Sequence, residues 1–197
     1  MNDLERIFGS VATSAHCTAA MRDTVEAVLQ LAVEIAREGR EGRKIGTLFV
    51  VGDVDNVLER SRSLLLDPLY GHATELLNVG SAEFRETVKE LAQLDGAFVV
   101  DKHGTFVSAA RYIDVDSSVQ LVPGLGTRHA AAASVTAQTK AVGIVVSQSS
   151  IVRVYARGEI RAEIVPELFL LSREGLFARD AAVRQVPEAG ITLAVAD

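Results

Sequence analysis

Three short runs in this chain are apolar and rich in β-branched residues: IGTLFVVG at 45–52, GAFVVD at 96–101 and AVGIVVSQ at 141–148. Each has the length of a strand, and none alternates apolar with polar residues as a strand with one face in water would. The first and third of these belong in a sheet interior, with cover on both faces. The segments between them read as that cover. Residues 19–37 place Val25, Val28, Leu29, Ala32 and Ile35 at helical spacing, with Leu31 and Val33 widening the apolar face. The glycines and charges of EGREGRK then end the helix.

Residues 53–66, DVDNVLERSRSLLL, open with the cap-type residues Asp53 and Asp55 and continue with helical periodicity. They predict a single helix, stopped by Pro68. DPLYGH follows as a loop. Over 81–94, Ser81 caps a helix that carries Phe84, Val88 and Leu91 on one face. Residues 96–101 and 105–115 read as a hairpin around KHG. A helix over 127–139 precedes the strand at 141–148, and SIVRVYARGEIRAEI at 150–164 reads as two strands around Arg157-Gly158. In the tail, PELFLLSREGLF fits either strand or short helix, and GITLAVA predicts a last strand. Helices and strands alternate irregularly and no repeat or linker interrupts them. The expectation is one α/β domain of the α+β type over 1–197, a mixed sheet flanked by helices.

A net charge of −6 argues against non-specific nucleic-acid binding, which needs clustered cations. Cys17 is the only cysteine, so neither a disulfide framework nor a cysteine-rich zinc site can form. MNDLERIFGS does not resemble a secretory signal, and no apolar run approaches the roughly 20 residues of a membrane helix. The expected location is the cytoplasm, with no membrane partner.

Two stretches carry candidate chemistry. In PGLGTRHAAAAS, at 123–134, a glycine turn runs into a good helix. Gly124 and Gly126 allow close approach of a ligand to the main chain, and the helix start aims N–H groups at the turn. Thr127 can cap the helix or bond an anion, Arg128 is a permanent planar cation, and His129 can donate, accept or ligate a metal. A capped glycine turn with two exposed polar residues satisfies the same pattern. In LDGAFVVD, Asp95 precedes a strand, with space left by Gly96 and Ala97. Its carboxylate can hold a divalent ion or take a proton from a hydroxyl, although Asp-Gly is also an ordinary turn pair. His16, His72 and His103 lie in no metal-ligand spacing.

Taken together, DGA at 95–97 and GTRHA at 126–130 resemble the two signatures of the diadenylate cyclase domain, whose usual forms are DGA and GTRHR. DGAFVVDKHGTFVSAARYIDVD, then GLGTRH, then TKAVGIVVSQ resemble the family in order and spacing. REGREGRKIGTLFVVGD and DPLYGH do so as well, particularly its archaeal branch. The likeness is strongest over 20–165, leaving 166–197 as an extension of the same domain. It implies a largely antiparallel central sheet and the joining of two ATP molecules into cyclic di-AMP, with release of pyrophosphate. Two subunits would face each other about a twofold axis, and a higher oligomer is compatible with this. Mg²⁺ or Mn²⁺ would be held by Asp95.

The resemblance also assigns roles. Asp95, Gly96, Ala97, Arg128 and His129 would form the catalytic group. Gly124, Leu125, Gly126, Thr127, Arg128 and His129 would hold the nucleotide and its phosphates, Tyr112 would pack on adenine, and Ser147 and Gln148 would reach the triphosphate. Two positions depart from the family pattern. Ala130 stands where a second arginine is usual, and Ser147-Gln148-Ser149 replaces a serine followed by acidic residues. A homologue that binds ATP or cyclic di-AMP as a sensor is the alternative reading.

Overall fold

The computed structural model describes residues 19–64, 66–116, 124–165, 182–186 and 191–195. Its centre is strand β1 (Thr47–Val51), every residue of which is buried. β1 pairs in parallel with β3 (Ala97–Val100) and antiparallel with β5 (Val142–Val146). These are the three apolar runs of the sequence, and β3 lies in the interior together with the two strands expected there. Outward from them lie β4 (Phe106–Ile113) and β2 (Ser61–Ser63) on one side, and β6 (Val152–Ala156) and β7 (Glu159–Ile164) on the other. The seven-stranded order is β2-β4-β3-β1-β5-β6-β7, and every pairing except β1 with β3 is antiparallel. The parallel pair requires a long crossover. That crossover carries α2 (Val54–Glu59), β2, the DPLYGH loop and α3 (Ala82–Leu91). β8 (Ala182–Val186) and β9 (Ile191–Val195) form a separate two-stranded sheet. β9 is the strand expected from GITLAVA; PELFLLSREGLF lies outside the described residues.

Successive side chains of β1 enter two different cores. Phe49 and Val51 face α1 (Ala19–Glu38) and α3, among Val28, Leu29, Leu31, Phe84 and Val88. Phe49 stacks on Phe98 at 5.1 Å between ring centroids, and Phe106 meets Phe84 edge-on at 5.1 Å. Leu48 and Val50 face the other core, with Val57 of α2 and Ala132, Ala133 and Val135 of α4 (Thr127–Gln138). Ala132 shows why small residues suit α4: a Cβ on Gly143 of β5 would lie only 3.2 Å from its methyl. Between α1 and α3, Lys89 is 5% exposed and its Nζ lies 2.7 Å from Glu86, 3.1 Å from Glu34 and 3.3 Å from Glu38. Burial opposes its charge, but the hydrogen bonds to Glu86 and Glu34 outweigh burial and hold its pKa above the ordinary lysine value. Among the described residues, no helix is long and apolar enough to cross a membrane.

The expected helix over 53–66 needs correction. α2 stops at Glu59, and Ser61–Ser63 pairs antiparallel with β4, Ser61 opposite Ile113. Ser61 Oγ donates to the Val57 carbonyl at 2.8 Å while the Arg111 Nε donates to the same Oγ at 2.9 Å. A distant strand therefore overrides the local helical pattern. Asp53 occupies the N-cap position but makes no capping bond; its carboxylate accepts from the Asn56 amide and from Lys140 N, both at 2.7 Å. Asp55 lies inside the first turn. Ser81 does cap α3, accepting from Phe84 N at 3.3 Å.

α4 is tied to the sheet along its length. Near its C-terminal end, Thr136 Oγ1 accepts from Gly158 N at 3.1 Å, and in the middle Ser134 Oγ accepts from Asp116 N at 2.7 Å. In its first turn, the His129 Nδ1 lies 3.0 Å from the Tyr155 hydroxyl of β6. His129 is 7% exposed, and burial, helped by the Arg153 guanidinium and by Arg128 against the opposing Glu163, pushes its pKa down to about 4.

Two predictions follow from this packing. Gly96 has φ +98°, and a Cβ there would sit 2.6 Å from the Ala110 carbonyl carbon and 2.7 Å from Arg111 N, where β4 bulges against β3. Gly96→Ala should therefore cost about 2–4 kcal/mol, read from the denaturant midpoint. For His129, the unfolded side chain takes its proton near pH 6.5 and the folded one only near 4, so between them the unfolded state holds more protons. Stability should accordingly fall as pH drops through that window, by roughly 3 kcal/mol from this residue. Comparing the pH dependence of the melting midpoint with that of His129→Gln isolates the contribution, and identical slopes would contradict it.

Candidate active site

The strand directions gather the site at one end of the sheet. β1 and β3 both begin there, since Leu48 pairs with Ala97 in a parallel ladder. β5 ends there, because Thr47 lies opposite Val146. β4 runs back toward the same end, with Arg111 opposite Ala97. Asp95, Gly46, Ser147 and the residues after Arg111 are therefore neighbours at this edge, and α4 begins beside them.

Here lies a cleft of about 520 Å³, a volume ordinary for a small-molecule site. Leu48, Leu64, Ala97, Ile113 and Val115 give it an apolar wall. Asp95, Gly96, Arg111, Tyr112, Thr127, Arg128, Ala130 and Ala131 complete it. The Asp95 side chain is 91% exposed, and its Oδ1 stands 3.6 Å from the Arg128 Nη2. An ion pair this open and this long is weak, so both partners remain accessible to a ligand. Tyr112 is half-exposed, with the Arg62 guanidinium 4.5 Å from its ring centroid.

Of the residues expected from the sequence, Asp95, Gly96, Ala97, Tyr112, Thr127 and Arg128 line the cleft together. Gly124, Leu125 and Gly126 lead into α4 but are not among its lining residues. Gly124 has φ +85°, and a Cβ on either glycine would meet no atom of the described residues within 4 Å. Thr127 is not the cap: Gly126 is the N-cap residue and no side chain caps the helix. Ser147 and Gln148 sit at the same end of the sheet but outside the cleft lining. The Ser147 hydroxyl lies 2.7 Å from that of Ser149 and accepts from Ile151 N at 3.1 Å. His129 faces the sheet, not the cleft, because adjacent helical residues point about 100° apart.

Three residues escaped the sequence reading. Arg111 is the second cation in the cleft wall, but its guanidinium is committed to β2, donating to Ser61 Oγ, Ser63 Oγ and the Ser61 carbonyl at 2.9–3.1 Å. Gly46 lets Arg128 lie along the start of β1, for a Cβ there would be 3.0 Å from the Arg128 Nη1. Asp67 pins the DPLYGH loop to β4, accepting from Ser108 Oγ at 2.6 Å and from Ala109 N at 3.1 Å. A glycine just before an apolar strand was the available signal for Gly46; the partners of Arg111 and Asp67 are too distant in sequence to leave one.

Among the described residues, no group of three or more His, Cys, Asp or Glu side chains could cage a metal. A single exposed carboxylate suits Mg²⁺ or Mn²⁺, whose remaining positions can be filled by phosphate oxygens and water.

Residues 34–160, which include both motifs, match the family described as DAC, DisA bacterial checkpoint controller nucleotide-binding. The chain is similar to a diadenylate cyclase of Methanocaldococcus jannaschii, 42% identical over 149 residues, covering 75% of this chain and 47% of that protein. It is also similar to a diadenylate cyclase of Haloferax volcanii, 37% identical over 144 residues, covering 72% of this chain and 52% of that protein. It thus spans about half the length of the curated relatives it matches. A crystal structure of DacA from Staphylococcus aureus, a double mutant, superposes with a TM-score of 0.48 at 23% identity, over 77% of this chain and 94% of that one. With the family match spanning most of the sheet and both motif-bearing edges of the cleft, this chain belongs to the DAC, or DisA bacterial checkpoint controller nucleotide-binding, family.

Proposed function

We propose that this protein is a diadenylate cyclase that condenses two ATP molecules into cyclic di-AMP and releases two pyrophosphates. The observation that carries this reading is the Asp95–Arg128 pair, a free carboxylate and a guanidinium 3.6 Å apart at one cleft wall. Nucleotidyl transfer needs an acid–base or metal-holding group and a cation for phosphate at one place. Tyr112 and the apolar wall supply a surface for the base.

Each chain holds one ATP, and two chains meet about a twofold axis, since a product with two equivalent halves calls for two equivalent sites. The 3′-oxygen of one nucleotide forms a bond to the α-phosphorus of the other, and the bond from that phosphorus to the bridging oxygen of pyrophosphate breaks. The hydroxyl proton passes toward the Asp95 carboxylate. Arg128 draws its guanidinium from Asp95 to the phosphate oxygens, and the open start of α4 adds backbone N–H groups. Asp95 would hold a divalent ion, which when bound would supply charge neutralisation at the phosphates and polarise the attacking hydroxyl.

A second reading rests on Ala130. It lines the cleft where the family pattern has an arginine, and Arg111 is already committed to β2. Arg128 then serves the phosphates without a second cation from the described cleft wall. This reading has the protein bind ATP or cyclic di-AMP without turnover.

Incubation with labelled ATP and Mn²⁺, resolved by chromatography across a series of protein concentrations, separates the two. The cyclase reading expects cyclic di-AMP, at a rate per chain that rises with protein concentration until the dimer saturates. No product with measurable nucleotide binding would favour the sensor. Asp95→Asn should remove at least about 100-fold of the rate while ATP still binds. Arg128→Ala should lower kcat/KM by roughly 10²–10³, far more than Arg153→Ala, since Arg153 is paired with Glu163 on the neighbouring strand. Equal effects of the two arginine substitutions would misplace the phosphate end.

A further inference from the structure

Within the TRH segment at the start of α4, neighbouring side chains take different environments. Thr127 and Arg128 line the cleft, whereas His129 is buried against β6 with Tyr155, itself 2% exposed. Their rings lie 5.9 Å apart, tilted by 48°. The hydrogen bond holds with either group donating, so it needs no charge on the imidazole.

Among the described residues, this contact stands where α4 has the least other restraint. The approach to the helix carries Gly124 and Gly126, at which side chains would touch none of the described residues. Gly126 caps with no side chain. The ties at Ser134 and Thr136 act one and two turns further on. Arg128 is adjacent to His129, and its guanidinium slots between Asp95 and the start of β1 at Gly46. A small rotation of the first turn would carry Arg128 out of that slot.

We propose that Tyr155 is a positioning residue of the nucleotide site: its hydroxyl anchors the His129 imidazole and thereby fixes the first turn of α4 and the aim of Arg128 into the cleft. On this account His129 is part of the support, not a phosphate contact. The proposal rests on the reading of the cleft as a triphosphate site. Tyr155 lies 26 residues beyond His129, outside both motifs.

The test is a double-mutant cycle on the full chain, with ATP affinity measured by calorimetry in Ca²⁺ to suppress turnover and the thermal midpoint recorded alongside. Tyr155→Phe keeps the ring and removes the hydroxyl. It should weaken ATP binding about tenfold at temperatures where the protein remains folded. In an Arg128→Ala background the same change should have no further effect on affinity, because no guanidinium is left to aim. A merely structural role would lower the midpoint equally in both backgrounds and leave the affinities additive. His129→Asn, whose amide can replace Nδ1, should retain most of the affinity, and His129→Leu should lose it to the same extent as Tyr155→Phe. The proposal is overturned if Tyr155→Phe binds ATP as the parent does, if its effect adds to that of Arg128→Ala, or if Asn and Leu at 129 are equally damaging. Failure of the parent protein to bind ATP would remove the nucleotide reading itself, a result distinct from these three.

Discussion

The structure depends on one strand buried from end to end. β1 has no face in water, so two separate cores must form, one under α1 and α3 and one under α2 and α4. It has two unlike neighbours, parallel β3 and antiparallel β5. That combination brings the start of β3 and the end of β5 to the same edge as its own start. Asp95 precedes one, Ser147 follows the other, and Gly46 precedes β1 itself. The cleft is thus a consequence of strand direction around a single interior strand, with α4 closing it from the side of the smaller core.

Close backbone approach gives that edge its shape. Gly96 at φ +98° lies where the bulge of β4 passes, leaving no room for a side chain, and Gly46 leaves the space that the Arg128 guanidinium occupies. Polar anchors then hold the elements that the apolar cores do not reach. Arg111 fastens the short β2 to β4, Asp67 fastens the loop after it, and the Tyr155 hydroxyl meets His129 in the first turn of α4. Each anchor buries or half-buries a polar group whose partner satisfies it, which makes the geometry specific as well as stable. Asp95 and Arg128 in the cleft wall are by contrast joined only loosely. Rigid support beneath a weakly joined pair leaves both side chains able to exchange partners.

Much of this was visible in the residues, and the misses share a cause. The helix at 19–37, the capped helix after Ser81, the hairpin around KHG and the turn at Arg157-Gly158 all rest on neighbours close in sequence, and all are present. The helix expected through residue 66 stops at Glu59 because Ser61–Ser63 pairs with β4, some 50 residues away. Thr127 has the chemistry of a cap, yet the backbone turns into the helix one residue earlier, at Gly126. In the TRH segment, composition could not say which of two adjacent polar side chains would face a ligand. Rotation of α4 against the sheet sent Arg128 to the cleft and His129 to Tyr155.

By itself, therefore, the sequence determined the central strands, the helices that cover them and the pair of motifs that mark the family, because apolar periodicity, capping and glycine turns act over a few residues. Only the tertiary structure decided that Arg111 is spent on β2, that Gly46 makes room for Arg128, and that a histidine between a cation and an alanine run is a buried anchor. Those outcomes depend on contacts between residues tens of positions apart, and such contacts exist only once the sheet has brought its strand ends together.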